Sequence, residues 1–473
     1  RSWSKATIAG AACVIGGLAA TPSQAMTLEE AVRLAIETNP QVSAAESNRD
    51  AVSQQLRQAR SGYLPQLSVS AEAGPANIED QTTRATPGDD DEDTLREVYR
   101  ATVTQTLFDG FETGSRVENQ KARLSAAAHG VYDTSELLAL DTVRQYLEVQ
   151  RQRRLLEIAQ NNVQVHRDIL NQVQDRLDRG AGSSADVSQT RARLFRAQDT
   201  VEQRQQALRD AVASFQRFVG RAPGDLEQVD ISMQSLPANE RQALDVAVKQ
   251  NPRVKRRQAQ VEAARSRIDV ETSDYFPTVS LEGESIYRDG IDAADTYERE
   301  HRLMLQLEWN LYSGGRDTAE RNEAVERASE ARSQRMETMR EIREELRRTW
   351  SALRATRNRV RELEQVVDAN RETLDAYRQQ FSVGQRTLLD VLDAENELFS
   401  ARTQLASVRT DQTFARYNVT ALTGTLLSTI GVQHVAASDP SAPGFTQTLI
   451  PDSPNRAGGE GAGSDADADA SEN

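Results

Sequence analysis

The chain has 473 residues, enough for two or three ordinary hydrophobic cores, yet aromatics are only 5% and charged residues reach 27%. Abundant Glu, Arg, Gln and Ala with low mean hydropathy fit long helices and coiled coils and exclude a thick globule. Net charge is −15, Arg outnumbers Lys 53 to 4, and no basic patch interleaves with aromatics, so nucleic acid is excluded as a partner.

Residues 1–25 read as an export signal. Arg1 and Lys5 precede the small, apolar run ATIAGAACVIGGLAA, and TPSQAM then places Ser23 and Ala25 at the −3 and −1 positions of a cleavage site. About 15 apolar residues are too few for a membrane anchor, which needs roughly 20. Cys13 is the sole cysteine; Gly10 stands where a lipoprotein signal would carry a larger aliphatic. Cleavage after Ala25 predicts a thiol-free chain outside the cytosol. No later run of 18 apolar residues offers a transmembrane helix.

From residue 26 the chain is written twice. ETNPQV (37–42) returns as KQNPRV (249–254) and GYLPQLSVSAE (62–72) as DYFPTVSLEGE (274–284), both 212 positions on. TLFDGFE (106–112) returns as NLYSGGR (310–316) at an offset of 204, which then holds through Gly180/Gly384 to Gly220/Gly424. The difference falls in the polar, acidic stretch TTRATPGDDDED, as expected of a surface-loop insertion.

Each copy predicts the same elements. Copy one (26–220) has a helix over 27–60, a strand pair at 63–75 and 97–109, a long helix over 115–178 and a return helix over 184–219. A linker (221–240) leads to copy two (241–430), with a helix, strands at 275–286 and 301–312, a long helix over 316–381 and a return helix over 388–423. At 1.5 Å per residue the long helix spans roughly 95 Å, about the reach of the two shorter helices end to end. A seven-residue repeat marks the helices: Leu346, Leu353, Val360, Val367, Leu374 and Phe381 share one seam, as do Val149, Leu156, Val163, Leu170 and Leu177. Val187, Leu194, Val201, Leu208 and Phe215, and Val391, Leu398 and Leu405 beside small Ala394 and Ala401, continue it on the return helices. This is coiled-coil packing with a wide polar face left for water.

The strands alternate. Leu303, Leu305, Leu307, Trp309 and Leu311 share one face against Arg302, Gln306, Glu308 and Asn310; Tyr99, Ala101, Val103 and Leu107 oppose Arg100, Thr102, Thr104 and Thr106. Such segments mark a membrane barrel, or a sheet half-buried on a soluble core. The chain has no other apolar material for these hairpins to cover, which favours the barrel. Four strands cannot close one, and open edges are not tolerated in hydrocarbon. Neighbouring copies must then complete the cylinder: two chains would give 8 strands, three would give 12.

The chemistry gathers at one corner, FSVGQRTLLDVLDAEN (381–396). Thr387 and Asp390 have the spacing of a helix cap, repeated by Ser183 and Asp186 in copy one. Asp393 and Arg386 are different, because their counterparts are Gln189 and Gly182, so shared architecture does not explain them. Asp390 and Asp393 share a helix face.

The export signal, the repeat, the paired Asn-Pro and Tyr-x-Pro motifs and SVGQRTLLDVLDAEN together resemble the TolC family of outer-membrane efflux and secretion channels, over about residues 27–424. The resemblance implies a mainly α protein with a small membrane β-barrel part: a homotrimer whose 12-strand barrel, bathed in outer-membrane lipid, continues into a periplasmic α-helical tunnel. It implies docking to a periplasmic adaptor and to an inner-membrane RND-type pump or ABC exporter, with the hairpin corners at Gly180, Gly384 and Val383 as the docking ends. It further implies that Asp390 and Asp393 form a carboxylate ring at the periplasmic constriction, favouring cations and raising some of the acids' own pKa values. Arg386, Asp186 and Phe381 match a link network that holds the mouth shut. Phe381 and Ala185 stand where the family pattern has hydroxyl residues, so closure is expected to rest on an Arg386–Asp186 pair.

No enzyme is expected, nor a cofactor or metal. His129, His166, His301 and His434 lack ligand spacing, GAGSSA (180–185) repeats the other corner and is no nucleophile loop, and no phosphate loop is present. The alternative to the channel is a periplasmic, adaptor-like coiled-coil scaffold with its hairpins in a soluble sheet. The stretch 431–473, rich in Pro, Gly, Ala and Asp, reads as a disordered acidic tail. The acidic loop at 86–93 reads as solvated.

Overall fold

The structure, a computed structural model, describes residues 25–77, 93–229, 236–290 and 297–441. The signal segment up to residue 24, the acidic loop at 86–92 and residues 442–473 lie outside the described residues. The elements run α1 (Leu28–Thr38), α2 (Pro40–Ser61), β1 (Gln66–Asn77), β2 (Asp93–Asp109), α3 (Glu112–Asp178) and α4 (Ser184–Val219) in the first copy. The second copy gives α5 (Glu240–Gln250), α6 (Pro252–Thr272), β3 (Thr278–Asp289), β4 (Tyr297–Glu308), α7 (Arg316–Ser382), α8 (Leu388–Leu422) and a short α9 (Leu426–Ile430).

The single helix expected over 27–60 is two helices, because Asn39 ends one and caps the next. Its Oδ1 accepts from the Gln41 N–H at 3.0 Å, and Pro40, which lacks an N–H, sits at the first helical position. Asn251 does the same between α5 and α6, accepting from Arg253 N–H at 2.9 Å. Each asparagine also donates from Nδ2 to the end of its copy's return helix: Asn39 to the Phe218 carbonyl at 3.5 Å, Asn251 to the Leu422 carbonyl at 3.0 Å. One side chain thus ties an N-terminus to a C-terminus, stacking α2 on α4 and α6 on α8. Gly220 and Gly424, at φ 79° and 70°, turn the chain out of the return helices.

The four strands form one antiparallel sheet in the order β1-β2-β3-β4, so β2 and β3 join the two copies and β1 and β4 lie at the edges. The registers Gln66↔Thr104, Glu97↔Asp289 and Thr278↔Glu308 put odd-numbered residues of all four strands on one face, up to an irregularity at Thr106/Phe108. That face is apolar and exposed: Leu67, Val69, Val103, Leu303, Leu305 and Leu307 all lie open. The opposite face is polar, with the buried Glu284 carboxylate held by Arg100 at 3.2 Å and by Arg302. The expected strand at 63–75 begins late because Tyr63 and Leu64 still bond back to Arg60 and Ser61. The expected strand 301–312 stops at Glu308: its partner β3 begins only after Pro277, so residues 309–312 keep the apolar alternation without a ladder.

The long helices carry the packing. Val149, Val163, Leu346, Leu353, Val367 and Leu374 of the heptad seam are buried, while Leu156, Val360 and Phe381 are only half-buried. A second core surrounds the middle of α3, where α1, the end of α4 and α9 converge on Tyr146, whose hydroxyl lies 2.8 Å from the Met26 and Glu227 carbonyls. The expected linker is therefore pinned at its start, Leu226 bridging to Met26. The first residues of the expected tail are ordered. Val432 is buried, Val435 packs on this core and the His434 ring meets Tyr132 edge-on at 4.6 Å, so residues 431–441 belong to the fold.

Candidate functional site at the hairpin tips

α3/α4 and α7/α8 are two antiparallel hairpins whose turns lie at the end remote from the sheet. Both turns use the same device. Ala181 N–H donates to Arg176 O and Gly180 N–H to Leu177 O, each at 2.9 Å; Gln385 N–H donates to Gln380 O at 2.9 Å and Gly384 N–H to Phe381 O at 3.1 Å. This closure needs a left-handed residue, supplied by Gly180 at φ 76° and Gly384 at φ 80°. At the second tip Val383 is 69% and Leu389 47% exposed, two apolar side chains open to solvent beside the glycine. Between the hairpins runs an apolar seam that includes Ile169, Val173, Val187, Leu374, Leu388 and Leu392.

Asp390 is a capping residue. Its backbone N–H donates to Thr387 Oγ1 at 3.3 Å, while the Thr387 N–H and hydroxyl donate to its carboxylate at 3.2 and 2.7 Å. The Thr387 hydroxyl, with the Thr387 N–H and the Arg386 charge adding to it, holds the carboxyl below the usual range within one chain. The copy-one counterpart is weaker, Ser183 accepting from Ala185 N–H at 3.1 Å and no box forming with Asp186.

Arg386 stays on its own hairpin. It donates from Nε to Gln380 Oε1 at 3.0 Å, lies 4.2 Å over the Tyr377 ring and faces Asp390 at 3.8 Å. Among the described residues no ion pair joins Arg386 to Asp186 within the chain. Within one protomer the guanidinium of Arg386, which lies just before the Thr387 cap, is engaged instead by Gln380, Tyr377 and Asp390 of its own hairpin. Asp393 reaches across to the other hairpin, where Arg193 of α4 donates to its Oδ1 at 3.1 Å. Phe381 is engaged from the other hairpin too: Arg176 donates to its carbonyl at 3.2 Å and lies 4.7 Å from its ring centroid.

Arg193 and Arg176 were not among the residues singled out in the sequence. The signal was present: their counterparts in the other copy are Glu397 and Gln380, the same asymmetry that marked Asp393 and Arg386. A further cross-helix pair lies within the second hairpin, where buried Glu395 meets Arg378 at 3.2 Å and burial pushes its carboxyl up. Elsewhere, Glu271, Asp274 and Glu320 bring carboxylate oxygens within 4.8 Å of one another near the sheet, a grouping the sequence did not suggest. No helix among the described residues is long and apolar enough to cross a membrane.

A sheet apolar outside and polar inside, continued by long wet-faced hairpins, defines an outer-membrane channel polypeptide. The chain matches the family described as outer membrane efflux protein over residues 31–221 and 243–425, one match in each copy, and it belongs to that family. It is 25% identical to the outer membrane efflux protein BepC of Brucella suis over 88% of this chain and 90% of that one. It is 26% identical to the alkaline protease secretion protein AprF of Pseudomonas aeruginosa over 82% of each. The fold is that of the outer membrane protein VceC of Vibrio cholerae, with a TM-score of 0.72 at 17% identity, covering 86% of this chain and 97% of that one. The TolC-family resemblance is thereby borne out. The chain is an outer-membrane channel of the efflux or secretion class, with its helical part in the periplasm.

Proposed function

We propose that three copies of the chain close one 12-strand barrel and one helical tunnel, and that this duct passively carries cargo outward from an inner-membrane pump. The observation that carries the reading is the open sheet: β1 and β4 each have one ladder partner, and the exposed face is apolar across all four strands, from Leu67 and Val69 through Val103 and Leu281 to Leu303, Leu305 and Leu307. Unpaired backbone groups in hydrocarbon cost several kcal/mol each, so the edges require β4-to-β1 pairing between neighbours. The polar face then lines water. At the other end, the tips with Val383, Gly384 and Gly180 dock a periplasmic adaptor, which couples the duct to an RND-type pump or an ABC exporter. Arg386 leaves Gln380 and Asp390 to pair with Asp186 of a neighbouring copy when the tips converge, and Asp390 and Asp393 line the narrowest part.

Reconstitution in planar bilayers tests the reading. Detergent-extracted protein should insert as uniform channels of low conductance, reflecting closed tips. Protein that is extracted without detergent and never conducts would refute it.

A further inference from the structure

We propose that Arg193 sets the ionic preference of the tunnel mouth by compensating the charge of Asp393. The proposal rests on the reading of the helical tips as that mouth. A carboxylate ring selects cations only if its charges are unpaired. Here the Asp393 side chain is 56% exposed, yet its Oδ1 is hydrogen-bonded by Arg193 at 3.1 Å from the opposite hairpin. Asp390, one helical turn earlier, is occupied by its capping box and by Arg386 at 3.8 Å. In each chain both of these acids are therefore faced by a guanidinium. A passing ion meets paired charges, whose field falls off faster than that of a bare carboxylate and is screened within about 10 Å at ordinary salt.

Arg193 is well placed for this role. Its side chain is only 27% exposed, so it is held against the protein and not free to sweep the lumen. The two partners sit on different hairpins, α4 and α8, so the compensation exists only while those hairpins lie together. Hairpin separation strips Arg193 from Asp393 and leaves an acidic ring. The same contact thus links the state of the tip to its charge: compensated when the hairpins are joined, cation-selective when they part.

Reversal potentials across a KCl gradient in planar bilayers test this with four proteins. Arg193→Gln should raise the K⁺/Cl⁻ permeability ratio by about twofold or more, because three carboxylates lose their partners. Asp393→Asn should lower it, leaving the guanidiniums bare. The double variant should return close to the wild-type ratio, and Arg193→Lys should keep it. If Arg193→Gln leaves the ratio unmoved, or the double variant behaves as Asp393→Asn alone, the inference is overturned while the channel reading stands. Wild-type protein that opens no channels would instead overturn the channel reading, and this inference with it.

Discussion

The Arg176 guanidinium lies 4.7 Å from the Phe381 ring centroid and donates a hydrogen bond to the Phe381 carbonyl at 3.2 Å, so one side chain of the first hairpin grips both the ring and the backbone at the end of the second. The carbonyl belongs to the last turn of α7, where the helix dipole places partial negative charge. A phenylalanine suits this contact as well as a tyrosine would, since the cation needs the ring face and not a hydroxyl.

Replacing Arg176 by Ala should loosen the closed tips. A partly exposed cation–π contact and one charge-assisted hydrogen bond together contribute about 1–2 kcal/mol, near a tenfold change in an equilibrium constant. Mean single-channel conductance or open probability should rise in planar bilayers. Phe381→Tyr should keep the parent behaviour and Phe381→Ala should follow Arg176→Ala.

The asparagine junctions make a stability prediction. Asn251→Ala removes an N-cap and a buried bond to Leu422 O at 3.0 Å, and should cost about 1–3 kcal/mol. Asn39→Ala removes a longer bond, 3.5 Å to Phe218 O, in a more exposed place, and should cost less. Thermal unfolding followed by helical circular dichroism checks the order; equal losses would mean the Nδ2 bonds contribute nothing.

Glu136 carries a pH prediction. It is buried in α3 and accepts the Leu426 and Leu427 N–H groups at 3.2 and 3.4 Å, which fixes α9 on the core. Burial, outweighing those bonds, pushes its carboxyl up from 4.5 to about 7. The native state therefore holds a proton between pH 4.5 and 7 that the unfolded chain has released, so this contribution to stability is lost as pH rises through 7. Glu136→Gln should flatten the melting temperature across that range; an unchanged slope would remove Glu136 as its source.

His166 has the opposite sign. Burial first, and the nearby Arg193 charge second, hold its imidazole below the ordinary 6.5. The unfolded chain binds the proton first, so stability falls as pH drops below about 6.5. His166→Gln should remove that acid-side loss, read from melting curves at descending pH.

The tip offers a partner prediction. Val383→Asp places a charge on the exposed apolar point beside Gly384 without touching the buried seam. Export that depends on the adaptor should be lost while channel conductance in bilayers is unchanged. A variant that exports normally would move the docking site elsewhere.

The repeat, the heptads and the strand alternation made most of the architecture legible, because each is a periodicity that burial imposes on neighbouring residues. Where one residue decides an outcome, periodicity says nothing. Asn39 splits a helix whose apolar spacing runs straight through it, and β4 ends at Glu308 although Trp309 and Leu311 keep the alternation, because a strand lasts only as long as its partner. At the tip, the capping of Asp390 could be read from Thr387 three residues before it. Arg193 and Arg176 could not be placed, since their partners are some 200 positions away and only the packed hairpins bring them together.

The central claim is that the sheet is completed by other copies of the same chain. Native mass spectrometry of the detergent-solubilised protein addresses it most directly. The account predicts a species of three chains that persists until the sheet unfolds; a single chain released into water with its apolar strand face covered by its own helices would contradict it.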